Sequence, residues 1–287
     1  MDRTAIFVLI AALAAGCSSR PRVVVGSKNF TEQVLLGEIV ARHIERRLGI
    51  EVDRKLNLGG TLLAHEALKG GSIDLYPEYT GTALTAVLKQ PAVKDAKAAL
   101  ERVREGYRPW GIEWLDPLGF NNSFAMVVRA DSAREQGLRT LSQAAGRHRP
   151  WNLGVGYEFT QRPDGLDGLV RTYGLRLSGP PVAMDLGLLY PALQGKRIEM
   201  AAANATDGML ARPEFVVLED DKRYFPPYEC AIVVRQDTLA RYPRLRAVLA
   251  ELSGRISDST MRRMNGAVDV GHRPETEVAR DFLNEWK

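Results

Sequence analysis

The sequence has few of the residues that build metal centres and disulfide frameworks. Its 287 residues include only two Cys and four His, and the His are far apart. The segment 65–69 begins like a zinc-protease helix, but Lys69 stands where the second His ligand would be needed. No phosphate-binding glycine loop and no Gly-x-Ser-x-Gly nucleophile motif occurs. The sequence therefore predicts no metal site, no cofactor and no catalytic residues, so a protein that is not an enzyme.

Blocks of like charge are also missing. The 39 basic residues are scattered among 35 acidic ones, for a net charge of +4. A nucleic-acid surface would need clustered Lys and Arg, with aromatic residues between them for single strands. We therefore expect no nucleic-acid partner. With 45% hydrophobic residues, the chain can form a sizeable core in two domains or one large one.

One apolar run stands near the N-terminus, at residues 5–15, and it is shorter than the roughly 20 residues of a membrane-spanning helix. Gly16 and Cys17 follow it, as in a bacterial lipobox, although the Leu usual three residues before the Cys is here Ala14. We interpret residues 1–16 as a lipoprotein-type signal peptide and Cys17 as the lipidation site. Ordinary secretion and a buried N-terminal helix are the alternatives. The expected location is periplasmic or at the cell surface, anchored to the membrane by lipid.

If Cys17 carries lipid, Cys230 has no partner for a disulfide. It lies in an apolar run and is predicted to be a small buried residue rather than a nucleophile.

Strand-like and helical patterns alternate from residue 23 onward. The spacing predicts a strand at 23–25, a helix over 32–48, a strand over 51–56, a helix over 61–69 and a strand at 73–75. Later, a strand over 151–157 precedes a helix over 165–173. This alternation indicates an α/β fold with largely parallel sheets.

Two segments about a hundred residues apart are similar: Phe-Ala-Met-Val-Val-Arg-Ala-Asp at 124–131 and Cys-Ala-Ile-Val-Val-Arg-Gln-Asp at 230–237. Chance recurrence of an aliphatic strand is one explanation. The other is a chain that crosses between two lobes and later returns. Lobe one would then comprise residues 22–121 and 228–287, and lobe two residues 122–227. Such an arrangement places a ligand pocket at the lobe interface, with hinge closure.

Two polar loops are candidates for that pocket. Residues 26–33 link the first strand to the first helix, where a helix N-terminus favours an anion. Simple helix capping by Asn29 or Thr31 is the alternative interpretation. Residues 74–82 place aromatic and hydroxyl side chains at the end of a predicted strand.

These loops belong to a series of segments that resembles the substrate-binding protein of osmoprotectant ABC importers, which bind glycine betaine, carnitine and choline. The matching segments, in order, are residues 26–33, 59–61, 76–82, 120–124, 158–165, 206–208 and 225–228. The resemblance runs from about residue 23 to the C-terminus. It implies a two-lobed periplasmic-binding-protein fold of type II, with two hinge crossovers and a ligand cleft between the lobes.

The resemblance also implies roles for individual residues. A cage around a quaternary ammonium falls on Tyr79, Phe124, Asn204 and Tyr228, with Asn122 and Glu158 beside it. The ligand carboxylate falls to Lys28, Thr82 and Arg162, with Gln33 and Thr61 as neighbours. Phe124 replaces a usual Tyr, and Asn204 replaces a usual aromatic residue, so the cage is thinner on that side. Aromatic faces suit a cation that has no N–H group to donate.

The implied function is capture of a quaternary ammonium zwitterion such as glycine betaine by a monomer, for delivery to a permease and an ATPase on separate chains. A binder of another betaine, similar to ergothioneine, or of an amino acid is the first alternative. An exported enzyme on a similar two-lobed fold is the second.

Overall fold

The computed structural model describes residues 22–285, and two five-stranded sheets dominate it. The strands of the first sheet are β1 (Val23–Gly26), β2 (Val52–Lys55), β3 (Leu75–Tyr79), β4 (Ile112–Asn121) and β10 (Glu229–Arg235). They lie in the order β2-β1-β3-β10-β4. β1 is parallel to β2 and β3, and β10 is antiparallel to both of its neighbours.

The second sheet repeats this pattern of directions. Its strands are β5 (Phe124–Arg129), β6 (Leu153–Val155), β7 (Val182–Ala183), β8 (Met200–Asn204) and β9 (Phe215–Leu218), in the order β7-β6-β8-β5-β9. β6 is parallel to β7 and β8, and β5 is antiparallel to β8 and β9. Both sheets are therefore mixed, and the prediction of largely parallel sheets was wrong, because β5 and β10 run against their neighbours. The similar sequences at 124–131 and 230–237 thus form strands with equivalent positions in the two sheets.

Helices connect the strands. They are α1 (Thr31–Leu48), α2 (Thr61–Lys69), α3 (Thr80–Thr82), which continues as a π-helical turn (Ala83–Val87), α4 (Ala96–Tyr107), α5 (Ala130–Gln136), α6 (Leu141–Ala145), α7 (Leu166–Tyr173), α8 (Leu186–Gln194), α9 (Gln236–Arg241), α10 (Leu245–Ala250), α11 (Asp258–Asp269) and α12 (Glu275–Asn284). Short 3-10 helices cover Arg108–Trp110, Tyr157–Thr160 and Gly208–Ala211. None of the helices within residues 22–285 is both long and apolar enough to cross a membrane.

Both faces of each sheet are covered, which explains the apolar strands. Along β10, Cys230 and Ile232 belong to one apolar cluster, while Ala231 and Val233 belong to the cluster on the other face. Cys230 is fully buried, as predicted, and within residues 22–285 it forms no disulfide. The helix predicted over 32–48 is α1, and its large buried apolar side chains, such as Ile39, each contribute about 1.5–3 kcal/mol by leaving water.

Some predicted bounds were wrong. The strand predicted at 73–75 is β3 (Leu75–Tyr79), and all five of its residues are buried. A strand covered on both faces has no alternation of polar and apolar residues, and the buried charge of Glu78 hides it further. The strand predicted over 151–157 is only Leu153–Val155, because a 3-10 helix begins at Tyr157.

The chain passes from the first sheet to the second between Asn121 and Phe124, and returns between Leu218 and Glu229. A loop or helical turn begins directly at the carboxyl end of each of the strands β1, β3, β6 and β8. In open α/β sheets these ends are where ligands commonly bind. The predicted signal peptide (residues 1–16) and Cys17 lie outside the described residues.

Candidate ligand-binding site

The predicted binding residues form one connected group of contacts. They come from the ends of β3 and β8, from the segments that follow β1, β2, β3 and β6, and from the two crossovers with the first residue of β5. The group comprises Lys28, Gln33, Thr61, Tyr79, Thr82, Asn122, Phe124, Glu158, Arg162, Asn204 and Tyr228. Their roles toward a ligand stay predictions, and the geometry below describes what each side chain contacts.

Lys28 follows β1 and is buried. Its ammonium donates to Glu78 Oε1 at 2.5 Å and to Thr61 Oγ1 at 3.3 Å, and lies 4.8 Å from the Tyr79 ring centroid. Its backbone N–H donates to Gln33 Oε1 at 3.4 Å. An ammonium has three donors, so one remains after Glu78 and Thr61. Glu78, which compensates the charge of Lys28, was missed by the sequence reasoning.

Arg162 lies in the segment after β6 and forms a bidentate ion pair with Asp164. Its Nε donates to Asp164 Oδ1 at 2.9 Å and its Nη2 to Oδ2 at 2.8 Å. The same guanidinium donates to Thr82 Oγ1 at 3.4 Å and to the Tyr228 hydroxyl at 3.1 Å. Since Thr82 and Tyr228 come from segments next to strands of the first sheet, Arg162 links the two halves of the chain.

Phe124 is the centre of an aromatic group. Its ring centroid is 4.9 Å from Phe159, 5.8 Å from Phe225 and 5.8 Å from Tyr228. Arg162 Cζ lies 5.4 Å from the Phe124 and the Tyr228 ring centroids. Phe159 and Phe225 were missed as site residues, although both stand in loop segments that carried the resemblance. An aromatic side chain within a polar loop was the sequence signal that could have identified each of these two residues.

Asn204 and Glu158 complete the second half of the site. Asn204 is directly opposite Phe124 in the β5–β8 register, which places the two Cβ atoms on one face about 4.5–5.5 Å apart. Glu158 is exposed, and its Oε1 is 3.2 Å from the point that a Cβ on Gly60 would occupy. Glu158 therefore reaches the N-terminus of α2, beside Thr61.

Glu32, in the first turn of α1, is a further member that the sequence reasoning missed. It is buried and accepts hydrogen bonds from the Tyr79 hydroxyl at 2.6 Å and from Asn122 Nδ2 at 2.8 Å. Burial raises the pKa of Glu32, and its hydrogen bonds oppose that rise. Burial and the nearby Glu32 charge raise the pKa of Tyr79 well above its ordinary value, so the Tyr79 hydroxyl stays protonated and donates.

The arrangement offers ring faces to a cation and N–H and hydroxyl donors to an anion. Two of the unpaired buried polar atoms belong to it, Gln33 Nε2 and Asn122 Oδ1. Between residues 22 and 285, no group of three or more His, Cys, Asp or Glu side chains is placed to hold a metal ion. The site is thus suited to binding a small polar molecule.

Two α/β sheets of matching topology, joined by two crossovers with polar and aromatic loops between them, define a two-lobed solute-binding protein. Residues 21–285 match the family described as the substrate binding domain of ABC-type glycine betaine transport systems. The chain belongs to this family, as the sequence resemblance predicted.

Individual relatives agree with this membership. A glycine-betaine-binding protein of Pseudomonas aeruginosa is 34% identical, over 95% of this chain and 90% of the relative. An ergothioneine transport permease/ergothioneine binding protein of Helicobacter pylori is 32% identical over 91% of this chain, which spans 47% of that longer protein. A crystal structure of a glycine betaine/carnitine/choline ABC transporter protein superposes with a TM-score of 0.81 at 30% identity, covering 92% of this chain and 98% of the other.

Proposed function

We propose that this substrate-binding protein captures a small quaternary ammonium zwitterion such as glycine betaine and delivers it to the permease of an ABC importer. The observation that carries the proposal is the contact between aromatic rings from the two halves, Phe124 and Tyr228, with Arg162 beside both. Lys28 lies over the third ring, that of Tyr79. The family membership supports the same ligand class.

The ammonium end of the ligand lies in this proposal among Tyr79, Phe124, Asn204 and Tyr228, next to Asn122 and Glu158. Each aromatic face contributes roughly 0.5–2 kcal/mol once water is excluded. The carboxylate end lies at Lys28, Thr82 and Arg162, near Gln33 and Thr61. Because Lys28 and Arg162 already pair with Glu78 and Asp164, the ligand carboxylate uses their remaining donors instead of meeting two free charges.

The two lobes of this proposal are residues 22–121 with 228–287, and residues 122–227. Hinge motion at the crossovers opens and closes the site. The protein acts as a monomer and binds without catalysis, and the permease and the ATPase are separate chains.

A screen of ligands tests the function. We expect glycine betaine or carnitine to raise the unfolding temperature of the purified domain, since a ligand that binds only the folded state stabilises it. Ergothioneine and amino acids are tested in the same screen as the ligands of the alternative functions. Stabilisation by an amino acid alone would contradict the quaternary ammonium proposal, and turnover of any ligand would favour the enzyme alternative.

We also propose that the chain is exported and that Cys17 carries the lipid anchor. Wild type is expected in the membrane fraction of cells and the Cys17→Ala variant in the soluble extracytoplasmic fraction. Cys230→Ala is the matched control, because Cys230 is buried, and it is expected to stay with the membrane. Equal partition of wild type and Cys17→Ala would contradict the anchor.

A further inference from the structure

The carboxylate of Glu32 is bound by donors from separate parts of the chain. Its Oε1 accepts from the Tyr79 hydroxyl at 2.6 Å and from Asn122 Nδ2 at 2.8 Å. Its Oε2 accepts from Thr206 Oγ1 at 2.5 Å and from Asn265 Nδ2 at 2.9 Å. Oε1 therefore bonds to two residues of the candidate site, and Oε2 bonds to two residues outside it.

This carboxylate has no counter-charge in its surroundings. Glu32, Thr206 and Asn265 are each at most 3% exposed, and among residues 22–285 no Lys or Arg forms an ion pair with Glu32. A buried carboxylate is costly unless its oxygens are satisfied, and here four neutral side-chain donors satisfy them. The position of Glu32 in the first turn of α1 also favours a negative charge. An exposed helix-capping Glu would need none of these partners, so capping alone does not explain the arrangement.

The partners lie on both sides of the interface between the sheets. Tyr79 ends β3 of the first sheet, and Asn122 stands in the crossover from β4 to β5. Thr206 follows β8 of the second sheet, and its carbonyl accepts a further bond from Asn265 of α11 at 2.8 Å. Separation of the two halves at this point must therefore break the bond from Thr206 to Glu32.

We propose that Glu32 is a positioning residue that couples the orientation of Tyr79 and Asn122 in the ligand site to contact between the lobes through Thr206. The inference rests on the proposed function for its ligand. In the closed form Glu32 holds the Tyr79 ring against the site. When Thr206 withdraws, the buried carboxylate loses a partner, so closure and ring placement are favoured together.

The test compares Glu32→Gln with Glu38→Gln by calorimetric titration of glycine betaine. Glu38 is a buried carboxylate on the same helix, but it pairs with Arg42 at 2.6 Å and Arg54 at 2.7 Å, away from the site. Glu32→Gln is expected to weaken binding about tenfold or more, because an amide presents a donor to groups that themselves donate. Glu38→Gln is expected to stay within about twofold of wild type.

Two single-donor variants keep the test valid if Glu32→Gln folds poorly. Thr206→Val is expected to weaken binding about threefold or more, although Thr206 is not in the candidate site. Tyr79→Phe is expected to weaken binding in the wild-type background, and where Glu32→Gln folds, to add nothing to it. A purely structural role for Glu32 would lower the unfolding temperature without this pattern.

Small-angle X-ray scattering gives a readout that needs no ligand. Glu32→Gln is expected to have a larger radius of gyration than Glu38→Gln and wild type. If Glu32→Gln and wild type had equal radii of gyration and equal affinities for glycine betaine, the proposed role of Glu32 would be wrong. A wild type that binds no betaine would contradict the proposed function instead, and the radii alone would then decide whether Glu32 holds the lobes.

Discussion

The two tyrosines of the candidate site, Tyr79 and Tyr228, have hydroxyl groups that are satisfied within the protein. The Tyr79 hydroxyl donates to Glu32, and the Tyr228 hydroxyl accepts from Arg162 and contacts Asp164. Such bonds fix the angle of each ring while its face remains an apolar, electron-rich surface. The hydroxyl and the ring of one tyrosine therefore have separable roles.

Tyr228 allows the two roles to be measured. Tyr228→Phe keeps the ring, and we expect its affinity for glycine betaine to stay within about threefold of wild type. Tyr228→Leu removes the face offered to the ammonium, which is worth roughly 0.5–2 kcal/mol, so its affinity should fall by about twofold to thirtyfold. Calorimetric titration gives both affinities, and thermal unfolding without ligand controls for loss of fold. Equal losses in both variants would assign the effect to the hydroxyl.

The sequence revealed individual site residues more readily than their partners. Lys28 and Arg162 stand in recognisable loops, but the pairing of Lys28 with Glu78 joins residues 50 positions apart. Glu32 looks like an ordinary acidic residue in a first helical turn. Its partner Asn265 is 233 positions away, and no local pattern reports that distance.

At the scale of elements, periodicity predicted α1 and α2 well, because each has one apolar face. It was less accurate for β3, where every residue is buried, and it gave no sign of the short 3-10 helix Gly208–Ala211. That helix lies against α11 so closely that a Cβ on Gly208 would be 2.4 Å from the nitrogen of Gly266. Asp207 precedes this helix, is half-buried, and its side chain accepts from the Met209 N–H at 3.0 Å.

Asp207 makes this element sensitive to pH. Burial, followed by the nearby Asp269 and Glu32 charges, raises its pKa from about 3.8 to about 6, against the effect of its cap bond. Between these two pH values Asp207 keeps its proton in the folded state but has lost it in the unfolded state. The free energy of unfolding therefore falls as pH rises from about 4 to about 6. We expect Asp207→Asn to remove part of this fall.

Thermal unfolding of wild type and Asp207→Asn between pH 4 and pH 7 measures the effect. The unfolding temperature of the variant relative to wild type should increase as pH rises through this window. Asp131→Asn is the control, because a backbone hydrogen bond from Ser132 lowers the pKa of Asp131, so that its titration lies below this window and its difference from wild type should stay nearly constant. A difference between Asp207→Asn and wild type that is constant with pH would contradict the prediction.

The two halves, each with a sheet of the same strand arrangement, contact each other through loop and helix residues at more than one point. Arg162 bonds to Thr82 across one side, and Glu32 bonds to Thr206 across another. The similar strands at 124–131 and 230–237 were enough to anticipate two halves, because an equivalent strand occupies the equivalent place in each sheet. The contacts that join the halves depend on the folded geometry and were not anticipated.

We expect the paired charges of the candidate site to set which ligand is preferred. Lys28 is compensated by Glu78, and Arg162 by Asp164, so neither is a free positive charge. A carboxylate can still accept from the remaining Lys28 donor, and a charge-assisted bond is worth roughly 1.5–3 kcal/mol. Choline has only a hydroxyl there. We expect glycine betaine to bind about tenfold more tightly than choline.

Removal of the compensating charge should strengthen this preference. In Glu78→Gln the Lys28 ammonium loses its partner, so the ratio of the choline to the glycine betaine dissociation constant should rise further. Glu66→Gln is the control, because Glu66 pairs with Lys69 on the exposed surface of α2, and its ratio should equal that of wild type. Calorimetric titration of both ligands into the three proteins measures the ratios. Equal dissociation constants for the two ligands in wild type, or an unchanged ratio in a folded Glu78→Gln, would show that Lys28 does not receive the carboxylate.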